Sequence, residues 1–131
     1  MLSNIMQGKF KTIDQGASVK EAAKRMTAQK IGSLLVEKQK KVIGIVTERD
    51  LVRKVVAKGG NAAKVKVERI MSKPLLTIEV TRSINDAQEL MAEKHIRHLG
   101  VTRGGQLVGV VSVRDLLVAF QQYSEPRIAQ D

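Results

Sequence analysis

A repeat at an offset of 65 positions constrains this chain more than any other feature. Residues 5–51 align without a gap with residues 70–116, and fifteen of the forty-seven aligned pairs are identical. Average amino-acid usage would give about three identities by chance. A solenoid needs roughly three or more units to cover its ends. Two copies therefore predict a closed pair of repeats related by a pseudo-two-fold axis, in which any cleft between the halves occurs twice.

Composition limits the classes of function that the chain can have. With 131 residues and 43% apolar content, one module can bury a core without disulfides or structural zinc. The chain has no cysteine, which excludes thiolate nucleophiles and thiol redox or metal sites. The N-terminus lacks the apolar stretch of a signal peptide, and no apolar run reaches the length of about eighteen residues that a membrane span needs. We expect a cytoplasmic protein without membrane association.

The net charge of +10 raises the question of a polyanionic partner. The densest basic stretch runs from Arg53 to Lys66 without an acidic residue and includes the junction of the two repeats at Gly59-Gly60-Asn61. A base-stacking platform is not expected, because the chain has only two Phe, one Tyr and no Trp. Two interpretations stay open: a solvated basic linker, which the pattern favours, and a phosphate-rich partner such as a nucleic-acid backbone.

Each copy predicts the element order β-α-β-β-α. A capping box, Ser18 to Glu21 in the first copy and Ser83 to Asp86 in the second, precedes apolar residues at helical spacing. The first of these helices is expected over about residues 18 to 29. Two apolar runs with a polar break then predict a β-hairpin, which Gly104-Gly105 closes in the second copy. A short strand precedes each first helix, and the copies divide the chain at residues 1–62 and 63–131.

A second helix is expected to begin at Thr47 in the first copy and at Ser112 in the second. Its apolar residues are predicted to lie on the buried side of the helix. They are Leu51, Val52, Val55 and Val56 in the first copy, and Leu116, Leu117 and Phe120 in the second.

The segments Gly44–Asp50 and Gly109–Asp115 are the candidates for chemistry. Each leads a strand into a helix, with a hydroxyl at the start and an aspartate three residues later. Helix N-termini favour phosphate, and a carboxylate one turn away can accept hydrogen bonds from a vicinal diol such as ribose. The alternative is an N-cap that serves only its own helix. Recurrence of the glycine and the arginine at identical offsets favours a ligand, because capping requires neither residue.

This repeat, ending in a glycine, two apolar residues, a Thr or Ser and an Asp three residues after it, resembles the tandem CBS domain, or Bateman module, over residues 1–122. The resemblance implies an α/β module whose two clefts bind adenosine-containing ligands: AMP, ADP, ATP or S-adenosylmethionine. It implies that Asp50 and Asp115 hold ribose and that Thr47 and Ser112 contact phosphate or sugar. Arg49 and Arg114 are candidate phosphate contacts, although an arginine at this place is more often solvated or paired.

The resemblance also implies which residues border the two bases. In the first copy these are Thr12, Ile13, Ile31, Gly32, Ser33 and Leu34; in the second they are Thr77, Ile78, Ile96, Arg97, His98 and Leu99. The copies differ where Gly32-Ser33 corresponds to Arg97-His98. The second pair resembles a phosphate-contacting segment of the AMP-activated kinase gamma subunit. We therefore expect Arg97 and His98, with His95 as a further candidate, to serve the phosphates of a ligand anchored at Asp50.

Catalysis and metal binding are not expected. His95 and His98, with Glu93 nearby, are too few ligands for a metal site. No nucleophile and base pair, P-loop or dinucleotide fingerprint is present.

We therefore predict a stand-alone regulatory module that senses an adenosine nucleotide, needs no cofactor and signals through conformational change to an unidentified protein partner. The resemblance implies a homodimer. The alternatives are a nucleic-acid-associated basic protein modulated by nucleotide, and a small nucleotide hydrolase.

Overall fold

The computed structural model describes residues 2–8 and 10–123. The chain divides into two compact units. We call Phe10–Leu75 the first unit, and residues 2–8 together with 76–123 the second unit. Each contains a three-stranded sheet and two helices, so the predicted α/β fold of two β-α-β-β-α repeats is confirmed. The last part of the second predicted repeat, residues 124–131, lies outside the described residues.

The elements of the two units correspond one to one. The first unit contains β1 (Thr12–Asp14), α1 (Val19–Gln29), β2 (Ser33–Lys38), β3 (Lys41–Thr47) and α2 (Glu48–Leu51), which runs on as a π-helix over Val52–Val56. The second unit contains β4 (Thr77–Glu79), α3 (Ile84–Lys94), β5 (His98–Arg103), β6 (Gln106–Ser112) and α4 (Val113–Tyr123). In each sheet the first strand lies parallel to the second, which pairs antiparallel with the third.

The helix caps follow the sequence, with one difference. In α3 the predicted capping box is complete: Ser83 accepts from the Asp86 amide at 3.0 Å, and Asp86 accepts from the Ser83 amide at 3.1 Å. In α1 only the Ser18 half forms, at 3.1 Å. The side chain of Glu21 instead pairs with Arg25 at 3.2 Å, because a glutamate can also reach the residue one turn ahead on its own helix face.

The two hairpins turn with different residues in the same backbone conformation. Gly104 and Gly105 have φ values of 58° and 84°, which confirms the predicted role of the glycine pair. In the first unit Gln39 and Lys40 adopt 51° and 67°, where side chains other than glycine are strained.

Each unit has its own hydrophobic core beneath its sheet. Ile13, Met26, Leu34, Val36 and Val46 are among the residues that pack together in the first unit. Their equivalents Ile78, Met91, Leu99, Val101 and Val111 do so in the second. The two methionines, Met26 and Met91, are both buried.

The buried side predicted for the second helix of each repeat is partly wrong. Val55 and Leu116 are buried, but Val52, Val56 and Leu117 are 58%, 70% and 63% exposed. In α4 the buried face is set by Leu116 and Ala119, three residues apart, and Leu117 is rotated about 100° away from it. Beyond Leu51 the backbone of the first unit is a π-helix, whose wider turn breaks the spacing on which the prediction relied.

The segment that precedes β1 packs in the second unit, and the segment that precedes β4 packs in the first. The amides and carbonyls of Ser72 and Ile45 exchange bonds of 2.9 and 3.0 Å, and those of Gln7 and Val110 exchange bonds of 2.8 and 3.1 Å. We call residues 66–72 the internal segment and residues 2–8 the terminal segment. Each compact unit therefore includes a piece that the sequence alignment gives to the other repeat.

Among the described residues, no helix combines the length and the apolar character that crossing a membrane requires.

Candidate functional site

The first strand-to-helix motif is built around Thr47, which ends β3 and caps α2. The Asp50 amide donates to Thr47 Oγ1 at 3.2 Å, and the Thr47 amide donates to Asp50 Oδ2 at 2.9 Å. The Thr47 hydroxyl also donates to Oδ2, at 3.2 Å. The capping alternative that the sequence left open is thus present, and one carboxylate oxygen of Asp50 is committed to it.

The second carboxylate oxygen of Asp50 is bound by Lys54. The Nζ of Lys54 lies 3.1 Å from Oδ1 and donates to the carbonyl of Ile70 at 2.8 Å. The side chain of Asp50 is only 12% exposed, whereas that of Lys54 is 42% exposed. Since Ile70 belongs to the internal segment, Lys54 ties the motif carboxylate to that segment.

The second motif has the same cap with a different neighbour. The Ser112 amide donates to Asp115 Oδ2 at 2.8 Å, and the Asp115 amide donates to Ser112 Oγ at 3.1 Å. Asp115 Oδ1 is approached by the side-chain amide of Gln7 at 3.4 Å, which is long for a hydrogen bond. The position equivalent to Lys54 is Ala119, which is buried. Asp115 is half-buried and has no cation as its partner among the described residues.

The glycine of each motif is required by the fold. A Cβ at Gly44 would lie 2.6 Å from the carbonyl oxygen of Ser72, and a Cβ at Gly109 would lie 2.8 Å from that of Gln7. The backbone that approaches these glycines is therefore the internal or the terminal segment. Recurrence of the glycine no longer favours a ligand over a cap.

Each motif has the start of its own unit's hairpin beside it. The Glu48 amide donates to the Gly32 carbonyl at 3.0 Å, and the Val113 amide donates to the Arg97 carbonyl at 2.9 Å. The structure thus brings residues 31–33 next to the first motif and residues 96–98 next to the second. The role of Arg97 and His98 toward a ligand at Asp50 stays a prediction.

The apolar candidates are mostly core residues of their own units. Ile13, Leu34, Ile78 and Leu99 are buried, whereas Ile31 and Ile96 are half-buried against the two cores. Thr12 begins β1 and Thr77 begins β4, and each of these strands runs parallel to the next strand of its own sheet. The Thr12 carbonyl accepts a hydrogen bond from Arg25 at 3.1 Å.

The charged candidates lie at the surface of their units. Arg49 and Arg114 are exposed, and within residues 2–8 and 10–123 neither forms an ion pair. Ser33 lies opposite Thr47, and His98 lies opposite Ser112, across the hairpins. No group of three or more His, Asp or Glu side chains in the described part of the chain could hold a metal ion.

Two residues that contact the motif carboxylates were missed in the sequence. Lys54 stands four residues after Asp50, a helical spacing at which opposite charges pair, so it could have been found. Gln7 is separated from Asp115 by more than a hundred positions and lies in a segment without a periodic pattern. No sequence signal pointed to it.

Two stretches of the chain, residues 2–57 and 67–122, match the CBS domain family. An uncharacterized protein of Methanopyrus kandleri, MK0525, is 42% identical over 99 residues, which cover 74% of this chain and 50% of that protein. The mitochondrial CBS domain-containing protein CBSX3 of Arabidopsis thaliana is 32% identical over 130 residues, covering 90% of this chain and 63% of that protein. The chain thus spans between half and two thirds of the length of these relatives.

Solved structures resemble more than nine tenths of the chain. An uncharacterized conserved protein from Pyrococcus horikoshii superposes with a TM-score of 0.86 at 31% identity, over 96% of each chain. A hexameric CBS-CP12 protein from bloom-forming cyanobacteria superposes with a TM-score of 0.82 at 33% identity, over 94% of this chain and 73% of that one.

Proposed function

The chain belongs to the CBS domain family, and from that premise we propose that it is a regulatory module that binds an adenosine-containing nucleotide through its two strand-to-helix motifs. One observation carries the proposal. Asp50 and Asp115 are each fixed by one oxygen to a helix cap, which leaves the other oxygen outside the cap. A carboxylate positioned in this way is a prepared acceptor for the hydroxyls of a ribose.

The surroundings of the motifs support a phosphorylated ligand. Arg49 and Arg114 are exposed one residue before each aspartate, and a free guanidinium is a strong partner for phosphate. AMP, ADP and ATP, which carry phosphate, and S-adenosylmethionine, which offers only its ribose to the aspartates, are the ligands that we propose, with no cofactor and no catalytic step. The ligand acts by binding two conformations with different affinity, which shifts their populations. The output then passes to a protein partner or to a homodimer of the chain.

The nucleic-acid alternative is not favoured. The basic stretch from Arg53 to Lys66 contains Lys54, which is already bonded to Asp50 and to the Ile70 carbonyl. Binding to phosphate backbones would weaken steeply with salt, in proportion to the number of phosphates contacted. Negligible affinity for duplex DNA and RNA at low salt would eliminate this alternative.

Calorimetric titration with AMP, ADP, ATP and S-adenosylmethionine tests the proposal. Asp50→Ala and Asp115→Ala should each weaken or remove one binding event, by about tenfold or more, because hydrogen bonds to a charged group contribute about 1.5 to 3 kcal/mol. The matched control is Asp86→Ala, which removes a capping aspartate of the same kind from α3. Its isotherm should equal that of the wild-type protein, and thermal melts of all variants separate lost binding from lost folding. Unchanged isotherms in both motif variants would return the motifs to a purely capping role.

Titration with ATP and with adenosine tests the phosphate role of Arg97. Arg97→Ala should weaken ATP more than adenosine, because only ATP offers phosphates to a guanidinium. Equal losses for the two ligands would refute this role.

A further inference from the structure

The two motif aspartates differ in what holds their second oxygen. We infer that Lys54 acts as a latch on Asp50. Its ammonium occupies the carboxylate and so hinders the binding of an uncharged diol, but it moves away when a ligand brings a phosphate with which it can pair. Asp115 has no such latch. The inference rests on the proposed function and adds to it a residue that sorts ligands by charge.

The Asp50 carboxylate has few free positions at which it can accept further hydrogen bonds. A carboxylate oxygen offers two lone pairs. Oδ2 of Asp50 accepts two bonds from Thr47, so its capacity is filled. Oδ1 accepts one from Lys54, which leaves a single position. Because a vicinal diol presents two hydroxyls, Asp50 can bind both only after Lys54 has moved away.

The energy needed to move Lys54 depends on where its charge goes. The Asp50 side chain is 12% exposed and Lys54 is anchored a second time on the Ile70 carbonyl. Breaking a pair with one buried partner costs more than breaking a surface pair. An uncharged nucleoside gives the ammonium no new anion, whereas a phosphate does. The flexible lysine stem allows the ammonium to follow it.

Asp115 lacks this restriction. Its Oδ2 accepts one bond of 2.8 Å, and its Oδ1 has only the neutral amide of Gln7 at 3.4 Å. Ala119 stands where the first unit has Lys54 and cannot reach a carboxylate. Asp115 should therefore bind nucleosides with or without phosphate, and Asp50 should distinguish them.

The test compares adenosine with AMP in an Asp115→Ala background, where only the Asp50 motif remains. Lys54→Gln should strengthen adenosine binding and weaken AMP binding, so that the ratio of the two dissociation constants changes by about tenfold. The control is Lys58→Gln, which removes an equal charge from the exposed turn after the same helix and should leave the ratio unchanged. An equal change for adenosine and AMP in Lys54→Gln, or no change, would overturn the inference.

The latch has a second test that needs no ligand. Amine labelling followed by mass spectrometry should modify Lys54 more slowly than Lys58 in the free protein, and Asp50→Asn should raise the Lys54 rate several-fold, by about the factor that a lost charged hydrogen bond gives. Equal rates at the two lysines, or no effect of Asp50→Asn, would refute the latch. Failure of the wild-type protein to bind either ligand would instead overturn the proposed function, and with it the sorting of ligands, while the labelling still decides whether Asp50 is locked.

Discussion

The two strand-to-helix motifs share an arginine, an aspartate and a leucine at identical offsets, yet the structure gives their carboxylates different partners. Asp50 is held by the ammonium of Lys54, and Asp115 by a long contact from Gln7. The difference arises outside the motif, at a helix position one turn later and in the internal and terminal segments, which we call the exchanged segments because each packs in the unit of the other repeat. A repeated motif therefore specifies where a carboxylate stands, whereas its neighbours decide how much of it a ligand can reach.

The largest effect on stability should come from substitution of Gly44 and Gly109, because the lack of a side chain there leaves room for the exchanged segments. We expect Gly44→Ala to lower the free energy of unfolding by about 3 kcal/mol, because the new methyl would overlap the Ser72 carbonyl at 2.6 Å. Gly109→Ala should cost about 1 to 2 kcal/mol. The backbone oxygen that the new methyl would meet there, that of Gln7, lies at 2.8 Å, so the overlap is smaller than at Gly44. Urea denaturation measures both values.

Gly8→Ala is the control for these two variants, since a Cβ there meets no atom within 4 Å. Its stability should stay within about 0.5 kcal/mol of the wild-type value. Equal losses in Gly44→Ala and Gly109→Ala would show that the shorter contact at Gly44, 2.6 Å against 2.8 Å, does not make this glycine the more sensitive of the two.

Most of the fold could be predicted because its signals are local. Ser18 and Ser83 mark helix starts, and the runs rich in β-branched residues mark the hairpins. The exchanged segments could not be predicted, because the pairing of Gln7 with Val110 involves one residue on each side and leaves no period in the sequence. The exposure of Val52 and Val56 was missed for another reason. A π-helix follows Leu51, and apolar spacing is interpreted on the assumption of a regular α-helix.

Less of the candidate site could be predicted. Thr47 and Asp50 were found from their spacing, but the same spacing describes a cap, and the structure shows the cap. The glycine that favoured a ligand is explained by backbone contact with Ser72. The pairing of Lys54 with Asp50 could have been found from its helical spacing. The contact of Gln7 with Asp115 joins residues more than a hundred positions apart and is visible only in the three-dimensional structure.

The hairpin turns give a smaller test of the difference between the units. Lys40→Gly should raise the free energy of unfolding by about 0.5 kcal/mol, because relief of the positive φ of 67° exceeds the added entropy of the unfolded chain. Gly105→Ala should lower it by about 1 kcal/mol, since a side chain at φ of 84° is strained although no atom obstructs it. Chemical denaturation of the two single variants measures these shifts. If the free energy of unfolding changed in the same direction in both variants, the backbone conformation of the turns would not explain how the two units differ.

The smallest effect on stability should appear at acidic pH. It concerns the last residues of β4 and β1, Glu79 and Asp14, which accept different hydrogen bonds. Glu79 accepts bonds of 2.6 Å from the Thr102 hydroxyl and from the Gly104 amide, and these bonds hold the pKa of its carboxyl below the ordinary value for a glutamate. The equivalent Asp14 accepts from the Gly16 amide at 2.8 Å. Because the folded-state pKa of Glu79 is depressed, its contribution to stability is complete above the unfolded pKa and is lost as the pH falls through the folded one.

Glu79→Gln should therefore be less stable than the wild-type protein at pH 7, with a difference that shrinks as the pH is lowered below about 4.5. Thermal melts between neutral and acidic pH measure the difference, and Asp14→Asn is the matched variant in the first unit. A difference that stays constant with pH would show that the two hydrogen bonds do not depend on the charge of Glu79. An identical pH profile in Asp14→Asn would assign the effect to the removal of a negative charge from a basic protein, because neutralising either carboxylate changes the net charge of +10 by the same amount.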